Sequence, residues 1–312
     1  MQKPFKKEYS KINGIQQFFL HYAVPKGEVV IYLHGGPGSA TSNWAYKTDS
    51  NIDTHTVVYY DQRGAGKTLV KNKTLKTGAT LPTMIEDLRQ TVQYIKTMYN
   101  RDKVALIGHS WGSILGTEFI KQHPEDILCY IGVGQVVDYI KGEKVGFDKL
   151  IEQVDKNNKK DMDKIRSLGD YPYNTIGNYS TKTIKVIRAL QGKYGLAVDA
   201  NAMIKSFIKS PIFKISDIPA ILLGLYVNKT LDESISEYDT TAHKEYKIPM
   251  YYILGRDDWQ VPSTVAAEYF DTITAPKKKL YWIEDAGHFP GFDKPDEFNK
   301  RIYEVLVDAR AD

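Results

Sequence analysis

The sequence predicts an α/β fold in which helices cover both faces of a mostly parallel sheet. Two observations support this prediction. Through the first 130 residues, short apolar runs alternate with amphipathic segments, and the same alternation returns after about residue 247. Strands that alternate with helices require crossover connections, which produce a doubly wound parallel sheet. At about 150 residues per domain, the 312 residues suffice for one large domain or two coupled ones.

The individual elements follow from the apolar patterns. Strands are predicted in the runs VVIYLHGG (29–36), TVVYYDQRG (56–64), KVALIGHS (103–110), DILCYIGVG (126–134), IPMYYILGRDD (248–258) and KKLYWIEDAGH (278–288). Helices are predicted in LPTMIEDLRQTVQYIKTMY (81–99), WGSILGTEFIKQH (111–123) and DEFNKRIYEVLVDA (296–309). In the first helix Ile85, Leu88 and Val92 recur at helical spacing, and Thr83 with Glu86 fits a capping box.

The composition and the apolar pattern of the sequence divide the chain into three parts. From residue 134 to 246 the segments are long, rich in Lys and Tyr, and poor in strand signals. We therefore expect a core whose first part is 1–133, a helical cap over 134–246, and a second core part over 247–312.

Composition excludes several classes of function. The 42 basic and 38 acidic residues leave a net charge of only +4, and the short basic runs are typical of solvated faces, so no nucleic-acid partner is expected. The single cysteine, Cys129, excludes an internal disulfide and a cysteine-based zinc site. No stretch of 18 apolar residues predicts a membrane span, and no signal-peptide pattern follows the basic N-terminus. We expect a cytoplasmic chain with no cofactor, no metal and no membrane partner.

The stretch GHSWG has the pattern of a nucleophile turn. Gly108 and Gly112 flank Ser110 between a predicted strand and a predicted helix, and they permit the tight turn that exposes a serine hydroxyl. The backbone N–H of Trp111, at the start of the helix, would then face an anion beside that hydroxyl.

A serine nucleophile requires a base and an acid that orients the base. His288, in EDAGHFPGF, follows a predicted strand and lies after the serine in the chain. Two adjacent aspartates, Asp257 and Asp258, end an earlier strand. The order serine, acid, histidine is the one used by hydrolases built on a doubly wound sheet.

The stretch DQRGAGKT raises the alternative of a phosphate-binding loop. Its Gly66-Lys67-Thr68 end matches that motif, but Asp61 stands where the motif needs a glycine, and a carboxylate there would repel phosphate. We therefore expect a turn that binds no nucleotide.

Five motifs in order, HGGPGS, DQRGAGKT, GHSWGS, GRDDWQVP and AGHFP, resemble the α/β-hydrolase superfamily and its prolyl aminopeptidase (proline iminopeptidase) branch. The resemblance covers residues 25–133 and 247–292 and implies the α/β-hydrolase fold with a helical cap. It selects Asp258, the third residue after Gly255, as the acid, and Gly36 as the second donor of the oxyanion hole. It also implies that Arg63 anchors a structural turn.

The resemblance implies a serine hydrolase that releases an N-terminal residue, of the proline type, from small peptides. In that family acidic cap residues bind the substrate ammonium, and the candidates in this cap are Glu143, Glu233 and Glu237. Tyr171 and Tyr173 are candidates for an apolar pocket or for the core. The alternatives are an esterase or lactonase with the same triad, and a binding protein that has lost the chemistry. Ser110 excludes the related enzymes that use an aspartate nucleophile.

Overall fold

The structure, a computed structural model, describes residues 4–48, 52–74, 76–179 and 182–311. An eight-stranded sheet runs through the molecule in the order β1-β2-β4-β3-β5-β6-β7-β8. Its strands are β1 (Lys6–Ile12), β2 (Ile15–Tyr22), β3 (Glu28–Leu33), β4 (His55–Asp61), β5 (Val104–His109), β6 (Ile127–Val133), β7 (Met250–Gly255) and β8 (Lys278–Ile283).

From β4 to β8 all neighbouring strands are parallel, as the sequence predicts. The strands β3 to β7 are buried, apart from the half-buried Leu128 of β6, because helices cover both faces, and this explains their uninterrupted apolar runs. The predicted α/β-hydrolase fold is confirmed by this architecture.

An antiparallel hairpin of β1 and β2, which was not predicted from the sequence, extends the sheet beyond β4. Its turn is Asn13-Gly14, and both residues have positive φ angles, 41° and 82°. Asn-Gly is the pair that such two-residue turns favour, so the signal was present in the sequence.

Among the described residues there are thirteen α-helices. They are α1 (Ala45–Thr48), α2 (Gly66–Asn72), α3 (Leu81–Tyr99), α4 (Trp111–Gln122), α5 (Tyr139–Gln153), α6 (Lys159–Ser167), α7 (Lys182–Lys193), α8 (Ala200–Ile208), α9 (Ile218–Val227), α10 (Asp232–Ser236), α11 (Ser263–Thr272), α12 (Pro290–Asp293) and α13 (Pro295–Arg310).

Helix α3 has the predicted bounds, but its predicted cap is wrong. The N-cap is Thr80, whose side chain accepts a hydrogen bond from the Thr83 N–H, and a proline occupies the first turn. Glu86 instead binds Arg89 along the helix. A proline just inside the start is compatible with a helix, because the first N–H groups have no helical partner.

Helices α5 to α10 all lie in the segment between β6 and β7, together with short 3-10 turns. We call residues 134–246 the cap segment, and we retain its limits, and those of the two core parts, as a proposal.

The DQRGAGKT loop shows why the resemblance to a phosphate-binding loop is misleading. The backbone N–H of Lys67, at the start of α2, donates to the Asp61 carboxylate at 2.7 Å. A helix N-terminus attracts anions, and here the chain supplies its own. Burial raises the pKa of this carboxyl to about 6. Arg63 anchors the loop as predicted, by two hydrogen bonds of 2.8 Å to the buried carboxylate of Asp87.

Lys67 joins the core to the cap segment. Its ammonium pairs with the carboxylate of Asp217, which lies in the 3-10 turn Ile215–Asp217 before α9, and both side chains are buried. Breaking a buried ion pair is costly because the remaining charge has lost its partner.

Replacing Lys67 with methionine should therefore lower the free energy of unfolding by about 3–5 kcal/mol, measured by urea denaturation. The double variant Lys67→Met/Asp217→Leu should regain most of this loss, because no charge is left unpaired. The control Lys71→Met, at an exposed position on the same helix, should change it by about 0.5 kcal/mol or less. A single variant as stable as the wild type would contradict this account.

Candidate active site

Ser110 lies at the sharp turn between the end of β5 and the start of α4. Its φ and ψ angles are 55° and −123°, a region that non-glycine residues rarely adopt. Both neighbouring glycines are needed for close packing: a Cβ at Gly108 would lie 2.5 Å from the hydroxyl of Tyr130, and one at Gly112 would overlap the carbonyl oxygen of Leu33. The Gly-x-Ser-x-Gly spacing is thus explained by the space around the turn.

His288 and Asp258 meet at the same edge of the sheet. Asp258 follows β7 and His288 follows β8, and the imidazole Nδ1 lies 2.8 Å from the Asp258 Oδ2. The other carboxylate oxygen accepts backbone N–H groups from Gln260 and Val261, at 3.0 and 2.9 Å. A carboxylate only accepts hydrogen bonds, so Nδ1 is the donor in this contact, and in the neutral imidazole Nε2 is the nitrogen without a proton.

His288 binds Asp258, which is the aspartate that the family resemblance selects, and not Asp257. Asp258 is buried, whereas the side chain of Asp257 is exposed. The Asp257 N–H donates to the carbonyl of Ala286 at 2.9 Å, which ties the two loops together.

Gly134, directly after β6, packs against the histidine–aspartate pair. It has a φ angle of +49°, and a Cβ there would lie 2.8 Å from Cε1 and 2.9 Å from Nδ1 of His288. The same Cβ would lie 3.4 Å from Oδ2 of Asp258. No role was predicted for Gly134, because its close contact with His288 joins residues that are distant in the sequence.

His109, next to the serine, fixes the backbone of the histidine loop. Its Nε2 donates to the carbonyl oxygen of His288 at 2.8 Å, and its ring stacks on Phe289 with centroids 4.8 Å apart. Burial lowers the pKa of His109 to about 3. The ring is therefore neutral at physiological pH, as its role of holding the histidine loop requires.

The two predicted oxyanion donors are Trp111, the next residue in the chain after Ser110, and Gly36. Trp111 is the first residue of α4, so its N–H has no partner within the helix. Gly36 lines the same cavity as Ser110, and its φ angle of +120° suits glycine alone. The Trp111 indole donates to Gln62 at 2.9 Å, and Gln62 in turn donates to the carbonyl of His34 at 2.9 Å. These contacts fix the turn after His34 relative to the turn at Ser110.

A cavity of about 850 Å³ opens above Ser110 and His288. Its walls are mostly apolar, and the cap helices α8 and α9 supply many of them. Among the described residues that line it, the charged ones are Lys185 and Arg188, both on α7 and both basic, apart from the histidines.

The three cap carboxylates proposed to bind an ammonium do not line this cavity. Glu143 is buried, and its carboxylate is bound by the Arg188 guanidinium and the Tyr171 hydroxyl. Glu233 and Glu237 have exposed side chains, in and just after α10. The sequence of an amphipathic helix does not show which of its charged residues faces a cavity. Arg188 was therefore not predicted as a residue that lines the cavity. Tyr171 belongs to the buried core, and Tyr173 is exposed.

The described part of the chain lacks both a metal-binding cluster and a membrane-spanning helix. There, no three His, Cys, Asp or Glu side chains are grouped as a metal site would require. No helix within it has the length and apolar character needed to cross a membrane.

Comparisons with known proteins agree with this geometry. Residues 28–170 match a family model described as the alpha/beta hydrolase fold. The chain is 25% identical to the probable aminopeptidase YbaC of Bacillus subtilis (strain 168), over 94% of this chain and 93% of that protein. It is 26% identical to the proline iminopeptidase of Heyndrickxia coagulans, over 90% of this chain and 91% of that protein.

Among solved structures, the proline iminopeptidase of Mycobacterium smegmatis superimposes with a TM-score of 0.71 at 16% identity, over 97% of this chain and 98% of that one. Sheet topology, family model and relatives together show that the chain has the α/β-hydrolase fold, that it is similar to proteins of the prolyl aminopeptidase-like branch, and that it is a hydrolase.

Proposed function

We propose that the chain is a serine hydrolase that uses Ser110, His288 and Asp258 as a catalytic triad. The observation that carries the proposal is the 2.8 Å hydrogen bond between His288 and Asp258, in a cavity that Ser110 also lines. Asp258 holds the imidazole so that Nε2 is the unprotonated nitrogen available to the serine.

In the proposed reaction, Oγ of Ser110 attacks the substrate carbonyl and His288 Nε2 takes the hydroxyl proton. The N–H groups of Gly36 and Trp111 stabilise the oxyanion of the tetrahedral intermediate. His288 then gives its proton to the leaving amine or alcohol as the scissile bond breaks. Water, deprotonated by His288, attacks the acyl-enzyme, and His288 returns that proton to Oγ of Ser110 as the bond to the acyl group breaks and the acid leaves.

For the substrate, we propose first the N-terminal residue of a small peptide, with proline as the reference residue. The support comes from the relatives named aminopeptidase and proline iminopeptidase, one of which matches 94% of this chain. In this proposal the substrate ammonium needs a carboxylate partner, and Glu143 is the buried candidate. It would have to exchange the guanidinium of Arg188 for the substrate amine.

The second candidate is an ester of an apolar acid, and one observation favours it. The described residues that line the cavity are mainly apolar and include no carboxylate, while Lys185 and Arg188 are basic. Such walls accept a neutral acyl group without leaving a charge unpaired, whereas a free ammonium would find no carboxylate partner among the described residues that line the cavity.

The triad proposal is tested by the two adjacent aspartates. Asp258→Asn should reduce kcat by about 10⁴-fold, because the amide stabilises the wrong tautomer of His288. The matched control Asp257→Asn alters an exposed side chain and should keep kcat within about threefold of the wild type. The measurement is steady-state hydrolysis of a chromogenic ester, and the reverse ranking of the two variants would contradict the proposal.

The substrate class is tested by blocking the amine. If the chain is an aminopeptidase, acetylation of a prolyl anilide should lower kcat/KM by about 10- to 150-fold, since a charge-assisted contact contributes about 1.5–3 kcal/mol. Glu143→Gln should remove that preference, and Glu233→Gln and Glu237→Gln, at exposed positions, are the matched controls. Equal rates for free and acetylated substrates would overturn the peptide proposal in favour of the ester.

A further inference from the structure

Exposed apolar side chains are concentrated on one part of the cap segment. Of the thirteen large apolar side chains that are exposed within the described residues, seven lie between residues 204 and 226. We call these seven the apolar rim: Ile204, Ile208, Ile215, Ile218, Leu222, Leu223 and Tyr226. Ile215 and Leu222 are 81% and 68% exposed, and a concentration of exposed aliphatic side chains in one segment is typical of a surface that meets a partner.

The apolar rim is continuous with the cavity above Ser110. All of its members except Leu223 also line that cavity. The rim therefore surrounds the mouth through which a substrate reaches the serine. Whatever covers the rim lies directly over this mouth.

The rim is set in a basic segment of the chain. Residues 182–230 contain eight lysines or arginines and two aspartates, so this segment is more positive than the whole chain, whose net charge is +4. One of the two aspartates, Asp217, is buried against Lys67. Lys205, Lys209 and Lys214 are exposed beside the rim residues of α8 and the following turn.

We propose that the apolar rim docks on an anionic lipid surface. Short helices with exposed aliphatic side chains and flanking lysines are typical of segments that lie in the headgroup layer of a membrane. The lysines are complementary to anionic headgroups. A second copy of the chain is a poorer occupant, because pairing two rims would bring two basic segments together.

This proposal goes beyond the hydrolase activity and replaces the expectation of no membrane partner with peripheral docking. It requires no spanning helix. Docking would place the mouth of the cavity against the lipid layer, so that an amphiphilic substrate with an apolar acyl group could pass from that layer to Ser110.

The test is co-sedimentation of the full chain carrying Ser110→Ala with vesicles of phosphatidylcholine, with and without 30% phosphatidylglycerol, a chosen composition of about one anionic lipid in three. Binding to the anionic vesicles, weak binding to the neutral ones, and release by high salt are expected. Because this variant lacks the proposed nucleophile, the result measures docking alone and does not depend on the triad.

Two sets of variants in the same background separate the contributions. Neutralising Lys205, Lys209 and Lys214 with glutamine should weaken binding on the order of 100-fold, at roughly fivefold per lysine. The matched control replaces Lys7, Lys11 and Lys300, exposed lysines on β1 and α13, and should leave binding unchanged. Ile215→Ser/Leu222→Ser should weaken binding about 10- to 100-fold through the lost apolar contact.

Three results would overturn the proposal. The first is that the Ser110→Ala protein does not bind anionic vesicles although its melting temperature equals that of the wild type. The second is an equal loss of binding in the lysine set and its control. The third is a dimer in sedimentation velocity that Ile215→Ser/Leu222→Ser dissociates, which would assign the rim to a second copy of the chain.

Discussion

The backbone turn at Ser110 is the constraint on which the rest of the site depends. The φ angle of 55° at a non-glycine residue is unfavourable, so the surrounding packing has to hold it. Gly112 lies against the carbonyl of Leu33, at the end of β3, and Gly108 lies against Tyr130 of β6. Three neighbouring strands therefore hold the turn, and a side chain at either glycine would push them apart.

The parallel sheet brings distant residues to the same edge. Residues 110, 258 and 288 follow β5, β7 and β8, and the carboxyl ends of parallel strands share one edge of a sheet. Gly134, after the intervening β6, fits against the imidazole where a methyl group could not. His109, the residue before the serine, donates a hydrogen bond to the backbone carbonyl of His288. It therefore also fixes the position of the histidine loop. Several contacts thus position one imidazole.

The core was predictable because its signals are local. Short apolar runs identified β3 to β8, and helical spacing identified α3 with its bounds. The hairpin of β1 and β2 was missed although Asn13-Gly14 marks its turn. The capping residue was misassigned because a threonine lies both at 80 and at 83, and only the backbone geometry distinguishes them.

The cap segment was less predictable because its important contacts are between distant residues. Glu143 and Glu237 have the same chemistry in the sequence, yet one is buried on Arg188 and the other is exposed. Likewise, nothing local to Lys67 indicates that its partner is Asp217, 150 residues away. Helical periodicity shows that a helix has an apolar face, but it does not show what that face covers. For α8 and α9, that face is left exposed around the cavity.

The central claim, that Ser110 is a nucleophile activated by His288, is tested most directly by labelling with a fluorophosphonate followed by peptide mass spectrometry. The account predicts one adduct, on Ser110, that forms in the wild type and is slowed by about 10³-fold or more in His288→Ala. The neighbouring Ser113, whose hydroxyl donates to the Ser110 carbonyl at 2.6 Å, is an internal control and should stay unlabelled. A label on another residue, or labelling of Ser110 that is unaffected by the loss of His288, would contradict it.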